Sequence, residues 1–198
     1  MKKSEILAAG VEITVPVIDK TGSMSATDFP PTRLECAKEA ALEFIRRKRL
    51  LDVRDRTAVV AFEREARLVS VFGRHPYEAQ GDVLGLAASG GTNITAGLRL
   101  ALELILGEAK GQREPTLRCI LLSDGQHNTG PSPVDDGVLN RMRKTGVIVD
   151  TVAIGPSGEH LLRAIAAQTG GTFARCRDFP ALLARYRGLA AKKRLPSA

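Results

Sequence analysis

The chain has 198 residues and a formal net charge of +7, and 43% of its residues are hydrophobic. This composition is ordinary for a globular protein that buries a sizeable core. No apolar run approaches membrane-spanning length, and Glu5 and Glu12 interrupt the first residues. We therefore expect neither a secretory signal nor a membrane span. The odd count of three cysteines, with no Cys-x-x-Cys pair, favours a reducing compartment, and we expect a cytoplasmic protein.

The first half of the chain alternates strand-like and helical patterns. Apolar runs predict strands, and apolar residues at intervals of three or four predict helices. Two of the strands are too close for a crossover helix and predict an antiparallel hairpin. Pro16, inside the first strand, predicts a bulge or a missing ladder hydrogen bond. The predicted strands are 11–18, 57–63 and 66–72, and the predicted helices are 32–50 and 81–88.

The second half repeats this alternation, with glycines closing most elements. Asp178 is placed to cap a last helix, with Pro180 in its first turn. The predicted strands are 117–122, 147–154 and 172–176, and the predicted helices that precede the last one are 95–107, 134–144 and 160–168.

Strands that alternate with helices of this length predict a single α/β domain. We expect a doubly wound, Rossmann-like three-layer sandwich. Its central sheet should have six strands and be mostly parallel, with one antiparallel edge strand from the hairpin. Ligands of such folds bind beyond the carboxyl ends of the strands, where the strand order switches.

Oxygen-bearing side chains follow two of the predicted strands and one glycine-rich turn. Hard oxygen donors suit Mg²⁺, Mn²⁺ or Ca²⁺ and suit zinc or copper poorly. Taken singly, Asp19 is better explained as an ordinary turn or cap residue, and Ser-Asp-Gly at 123–125 as an ordinary turn. The turn at Gly90-Gly91 is open to a helix entry or a phosphate cradle. Together they predict a metal site formed by Asp19, Thr21, Ser23, Thr92 and Asp124.

This combination resembles the metal-ion-dependent adhesion site of the von Willebrand factor A domain family. The family pattern is Asp-x-Ser-x-Ser, then a Thr after a glycine-rich turn, then an Asp after a later strand. The chain reads Asp-Lys-Thr-Gly-Ser at 19–23, Gly-Gly-Thr-Asn at 90–93 and Ser-Asp-Gly at 123–125. The chain departs from the family in having Thr21 for the first Ser and a longer loop at 25–31. The resemblance covers about 11–187, within a domain of 1–198 that ends in a basic tail of about 188–198.

The resemblance implies a protein-interaction module that is not an enzyme. It would hold a divalent metal, with Mg²⁺ expected and Mn²⁺ or Ca²⁺ as alternatives, and a partner protein would present an Asp or Glu to that metal. Two aspartates nearly neutralise the ion while hydroxyls add no charge, so the metal stays electrophilic. In the family, Thr92 or Asp124 would coordinate directly in different states.

Two alternative functions stay open at this point. In a Mg²⁺-dependent phosphohydrolase, Asp19 would be the nucleophile, but Thr21 stands where the haloacid dehalogenase family has its second aspartate. Nucleic-acid binding would use the basic clusters at 46–49 and 192–194. We do not expect it, because no aromatic residues interleave with them. We interpret both clusters, and Lys20, as solvated surface, and the oligomeric state is open.

Overall fold

The computed structural model describes residues 10–191, and a seven-stranded sheet runs through its centre. The strands are β1 (Glu12–Asp19), β2 (Arg56–Thr57), β3 (Val59–Phe62), β4 (Ala66–Ser70), β5 (Thr116–Ser123), β6 (Ile148–Ile154) and β7 (Phe173–Cys176). Their order is β4-β3-β1-β5-β6-β7, and the short β2 pairs with β1. All pairings are parallel except that between β3 and β4, so the predicted fold class is confirmed. The sheet has seven strands and not the predicted six, because the predicted strand 57–63 is interrupted at Ala58 and forms β2 and β3.

Helices cover both faces of this sheet. They are α1 (Arg33–Leu51), α2 (Pro76–Leu84), α3 (Ile94–Glu108), α4 (Val138–Lys144), α5 (Glu159–Gln168) and α6 (Phe179–Ala191). Apolar residues of α1, α2 and α6 form one buried cluster with the sheet, and those of α3, α4 and α5 form a second. This is the predicted three-layer arrangement. Among the described helices, none combines the length and the apolar character needed to cross a membrane.

Three predicted helices differ from those observed by more than one residue at an end. Helix α2 runs from Pro76, after an N-cap at His75, to Leu84, and not over 81–88 as predicted. Helix α4 begins at 138 and not at 134, because Gly137 adopts the left-handed conformation, with φ 86°, at its start. Helix α6 continues to residue 191 and buries Leu189, so 188–191 belong to the packed domain. The rest of the predicted basic tail lies outside the described residues.

Pro16 interrupts one ladder of β1 without shifting its register. Towards β5 the pairing is continuous, with Pro16 opposite Ile120. Towards the other neighbour, β2 and β3 keep one register with β1 but are separated at Ala58. The Ala58 N–H donates to the Thr14 carbonyl, which places Pro16 next on that ladder, where its missing N–H leaves a gap. Of the two predicted outcomes, the missing ladder hydrogen bond is therefore the one observed, and β1 has no bulge at Pro16.

A buried ionic network lies near the amino end of β1. Lys48 of α1 is 3% exposed at its side chain and lies 2.9 Å from a Glu12 oxygen and 3.0 Å from an Asp55 oxygen. Arg118 of β5, which is fully buried, contacts Glu12 at 3.4 Å and Asp150 at 2.7 Å. The assignment of cluster 46–49 to solvated surface was thus wrong for Lys48, which the acidic residues hold in the interior.

The fold places the carboxyl ends of β1 and β5 side by side at its centre. Ile18 pairs with Leu122, so the last residues of the two strands, Asp19 and Ser123, reach the same edge of the sheet. The chain passes from β1 to strands on one side and returns to β5 on the other, which makes this pair the topological switch point. A binding site is expected at this position in an open α/β sheet.

Candidate metal centre

The turn after β1 holds its three predicted ligands close together. The Asp19 carboxylate accepts the Thr21 N–H at 2.9 Å, the local contact that makes aspartate a frequent turn residue. The hydroxyls of Thr21 and Ser23 lie 3.2 Å apart, at the start of a single 3-10 turn over Gly22–Ser25. The spacing Asp-x-Thr-x-Ser thus folds into one cluster of oxygens.

Ser123 joins this turn to the loop that follows β5. Its hydroxyl donates to the second Asp19 oxygen at 2.5 Å and accepts the Gly125 N–H at 2.8 Å. Asp124, between them, is fully buried. Ser123 was predicted only as part of the turn, and its role as the link to Asp19 was missed. A hydroxyl directly before the second aspartate, on the neighbouring strand, was the available signal.

The glycine-rich loop reaches both of the other loops through its backbone. The Gly22 N–H donates to the Gly90 carbonyl at 3.2 Å. The Thr92 N–H donates to the Asn128 side-chain carbonyl at 2.8 Å, and the Thr92 carbonyl accepts the Asn128 N–H at 3.1 Å. Thr92 is 2% exposed. The structure therefore brings the three predicted loops together at one end of the sheet, with Asn128 as a further contact that the sequence did not indicate.

Lys20 connects the turn after β1 to its neighbours. It was predicted to be solvated, but it is buried. Its ammonium group lies 3.2 Å from a Glu63 carboxylate oxygen and donates to the Ser89 hydroxyl at 2.9 Å. Lys20 is 8% exposed. Because these partners satisfy its charge internally, Lys20 supports the loops and does not present a cation to a binding partner.

His127 has a structural role beside the site. Its Nδ1 accepts the N–H of Ile94, at the start of α3, at 3.3 Å. Its Nε2 lies 3.3 Å from the Gly130 carbonyl, which fits a neutral ring with the proton on Nε2. The ring thus satisfies a donor in the first turn of the helix that follows Thr92.

Arg33 is a polar contact of Asp124 that no pattern in the sequence indicated. Its Nη1 lies 3.2 Å from Asp124 Oδ2. The same guanidinium binds both carboxylate oxygens of Asp28, in the loop 25–31, at 2.7 and 2.8 Å. Arg33 directly follows Thr32, whose side chain caps α1 by accepting the Glu35 N–H. The longer loop at 25–31 is therefore connected to the candidate site through one arginine.

Charge at this end of the sheet is incompletely compensated. Asp19 and Asp124 are both fully buried, and burial raises the Asp19 pKa to about 6, with the nearby Asp124 charge adding to the rise. Arg33 compensates Asp124, but within residues 10–191 no lysine, arginine or histidine forms an ion pair with Asp19. A divalent metal would stabilise a carboxylate that is buried without a cation from the protein.

The donor set also defines which metals fit. In the described part of the chain, no group of three or more His, Cys, Asp or Glu side chains is arranged to hold a metal. The candidate site therefore depends on hydroxyl donors beside its two carboxylates. Asp19, Thr21, Ser23, Thr92 and Asp124 would fit a hard cation such as Mg²⁺ and would not fit zinc.

Comparison with known proteins identifies the family. A sequence profile of the von Willebrand factor type A domain matches residues 14–126, more than half of the chain. The chain belongs to this family. Domains of the family are in general protein-interaction modules and not enzymes.

Individual relatives agree with this assignment. Calcium-activated chloride channel regulator 1 of Macaca mulatta is 31% identical in an alignment of 172 residues, which covers 84% of this chain and 17% of the regulator. The uncharacterized protein YfbK of Escherichia coli is 30% identical in an alignment of 162 residues, which covers 79% of this chain and 26% of YfbK. The chain thus spans only a fraction of the length of these relatives.

Solved structures agree on the fold. A von Willebrand factor type A protein from Catenulispora acidiphila superimposes with a TM-score of 0.78 at 25% identity, covering 92% of this chain and 42% of that one. The SpRpn10 VWA domain superimposes with a TM-score of 0.71 at 20% identity, covering 89% of this chain and 93% of that domain.

Proposed function

We propose that this domain recognises a partner protein through a divalent metal, and that the metal binds an Asp or Glu of the partner. Asp19, Thr21 and Ser23 would form the anchor, with Thr92 and Asp124 from the two neighbouring loops. Mg²⁺ is the expected ion in a cytoplasm, with Mn²⁺ and Ca²⁺ as alternatives. The bound metal would supply a positive, electrophilic point that attracts a carboxylate.

The carboxylate of Asp19 carries this proposal. It is fully buried, its two oxygens are held by Ser123 and Thr21, and the residues described provide it with no cation. Burying a charge without a partner is costly, and proteins normally avoid it. A metal-binding role explains why this position carries an acid where a neutral residue would fold more easily.

An open cleft next to the site offers room for a partner. It has a volume of about 450 Å³ and lies between Asp28 of the loop 25–31 and the ends of β6 and β7. Arg175 and Arg177 line this cleft and are exposed, and Arg175 also pairs with Glu159 at 2.9 Å. An acidic segment of a partner would meet these charges favourably while one of its carboxylates approached the metal.

The phosphohydrolase alternative has weaker support. The Asp19 carboxylate is engaged by Ser123 and Thr21 at both oxygens, an arrangement that suits a fixed ligand better than an attacking nucleophile. Neither regulator 1 nor the other relatives carry an enzymatic name. A phosphatase screen with Mg²⁺, using Asp19→Asn as the control, would reveal activity if this alternative were correct.

The decisive experiment measures metal binding and carboxylate binding separately. Mn²⁺ binding is followed by electron paramagnetic resonance, and water proton relaxation reports the water on bound Mn²⁺. We expect N-acetylaspartate to lower the relaxation enhancement, and the amide analogue N-acetylasparagine amide to leave it unchanged. Asp19→Ala should abolish Mn²⁺ binding, whereas Asp135→Ala, which removes an exposed aspartate outside the site, should not. Equal binding by wild type and Asp19→Ala would refute the proposal.

A further inference from the structure

Arg33 is held between two carboxylates that belong to different parts of the site. Its side chain is 9% exposed, while that of Asp124 is fully buried and that of Asp28 is 42% exposed. The bidentate pair with Asp28 is the better-formed of the two contacts, with 2.7 and 2.8 Å against 3.2 Å for Asp124. The guanidinium is therefore shared unequally between the exposed acid and the buried acid.

The backbone is shaped to admit this guanidinium. Gly155, at the end of β6, has φ +83°, and a Cβ at this position would lie 2.5 Å from the Arg33 Cζ. A side chain at 155 would displace the arginine from Asp124. The position of Arg33 is thus fixed by its place at the start of α1 and by its close approach to the backbone at Gly155.

The charges of Asp19, Asp124 and Arg33 sum to one net negative charge in this buried region. Asp19 and Asp124 contribute two negative charges, and Arg33 returns one positive charge to the same buried region. A divalent cation bound there would leave one net positive charge on these four groups. Asp28 can neutralise that surplus only in part, because its side chain is substantially solvated.

We propose that Arg33 holds down the affinity of the site for divalent metal and keeps the loaded site positive, and that Asp28 moderates this effect by drawing the guanidinium away from Asp124. The inference rests on the proposed function. Its consequence is that a metal bound at this site retains a strong preference for an anionic ligand, because the protein itself supplies too little negative charge to satisfy it.

A purely structural role for Arg33 makes a different prediction. If Arg33 served only to fasten the loop 25–31 to the domain, then removing either partner of the Arg33–Asp28 pair would loosen the loop. Both changes would weaken metal binding or leave it unaltered. The proposal requires opposite directions, since Arg33→Gln frees Asp124 while Asp28→Asn leaves Arg33 to interact with Asp124 alone.

The test measures Mn²⁺ affinity by electron paramagnetic resonance at low ionic strength, with no partner present. Arg33→Gln should bind Mn²⁺ at least about tenfold more tightly than wild type, and Asp28→Asn several-fold more weakly. Arg33→Lys, which keeps the charge, should stay within about threefold of wild type. Arg54→Gln is the matched control, because Arg54 pairs with Asp52 in the loop before β2, at the opposite end of the sheet, and its loss should not change the affinity.

The outcomes separate this inference from the proposed function. If wild type binds Mn²⁺ and Arg33→Gln binds it equally or more weakly, the inference is wrong and the proposed function stands. If Mn²⁺ binds to Arg33→Gln but not measurably to wild type, the inference is supported in its strongest form. If neither protein binds Mn²⁺ while circular dichroism shows both to be folded, the metal site itself is refuted.

Discussion

Replacing Asp19 with Asn should stabilise the metal-free domain while it destroys the metal site. The substitution keeps the shape of the side chain and removes its charge. The Asn carbonyl can still accept the Thr21 N–H, and the Ser123 hydroxyl can turn to accept from the amide. The main change is therefore that a buried negative charge disappears.

The pKa of Asp19 gives the size of the effect. Burial raises it from 3.8 to about 6, so the folded state binds this proton more tightly than the unfolded state does. The tighter proton binding therefore stabilises the folded state fully below pH 3.8, and this stabilisation is lost as the pH rises through about 6. At pH 7.5 the ionised carboxylate costs about 3 kcal/mol, which Asp19→Asn should recover.

The assay is urea denaturation followed by circular dichroism, in EDTA, from pH 4.5 to 8. The free energy of unfolding of wild type should fall relative to that of Asp19→Asn as the pH rises, and the difference should level off above pH 7. Adding Mg²⁺ at about 100 times its dissociation constant should stabilise wild type by about 2.7 kcal/mol and leave the variant unchanged. A variant that is less stable than wild type at pH 7.5 in EDTA would refute this reasoning.

Two further substitutions test the buried ionic network near Glu12 and the loop that follows β5. Lys48→Ala should destabilise the domain by about 3 to 5 kcal/mol, measured by urea denaturation, because it leaves Glu12 and Asp55 buried without their lysine. Gly125→Ala should cost about 2 to 4 kcal/mol and weaken Mn²⁺ binding, since Gly125 has φ +75° and a Cβ there would lie 2.5 Å from a backbone oxygen of the β6–α5 loop. Gly146→Ala is its control: φ is +74° but nothing lies within 4 Å of the Cβ, so only about 1 to 2 kcal/mol should be lost, with Mn²⁺ binding intact.

The parts of the fold and the site that the sequence predicted are those with local signals. Buried strands appear in the sequence as apolar runs, and the carboxyl ends of parallel strands lie at the same edge of the sheet. Once β1 and β5 are recognised, Asp19 and Asp124 fall at that edge without further information. The direct contact between Thr21 and Ser23 likewise follows from their spacing in one turn.

What the sequence could not predict depends on contacts between distant positions. Arg33 and Asp124 are 91 positions apart, and only the packed fold brings α1 to the end of β5. Lys20 and Lys48 were assigned to solvent because lysine is usually exposed, but acidic partners on other elements hold both in the interior. The start of α2 was misplaced because Pro76 fits the first turn of a helix as readily as it fits a loop.

The two ends of β1 show why a missing cation is meaningful in this domain. Glu12 begins the strand and Asp19 ends it, and both are fully buried. At the first end the protein provides its own cations, since Lys48 and Arg118 lie 2.9 and 3.4 Å from Glu12. At the second end the only cation within the described residues that reaches the paired aspartates is Arg33, and it contacts Asp124 and not Asp19. The same strand thus carries one acid whose charge the fold compensates and one that the described residues leave without a cation, which is the arrangement that the proposed metal site requires.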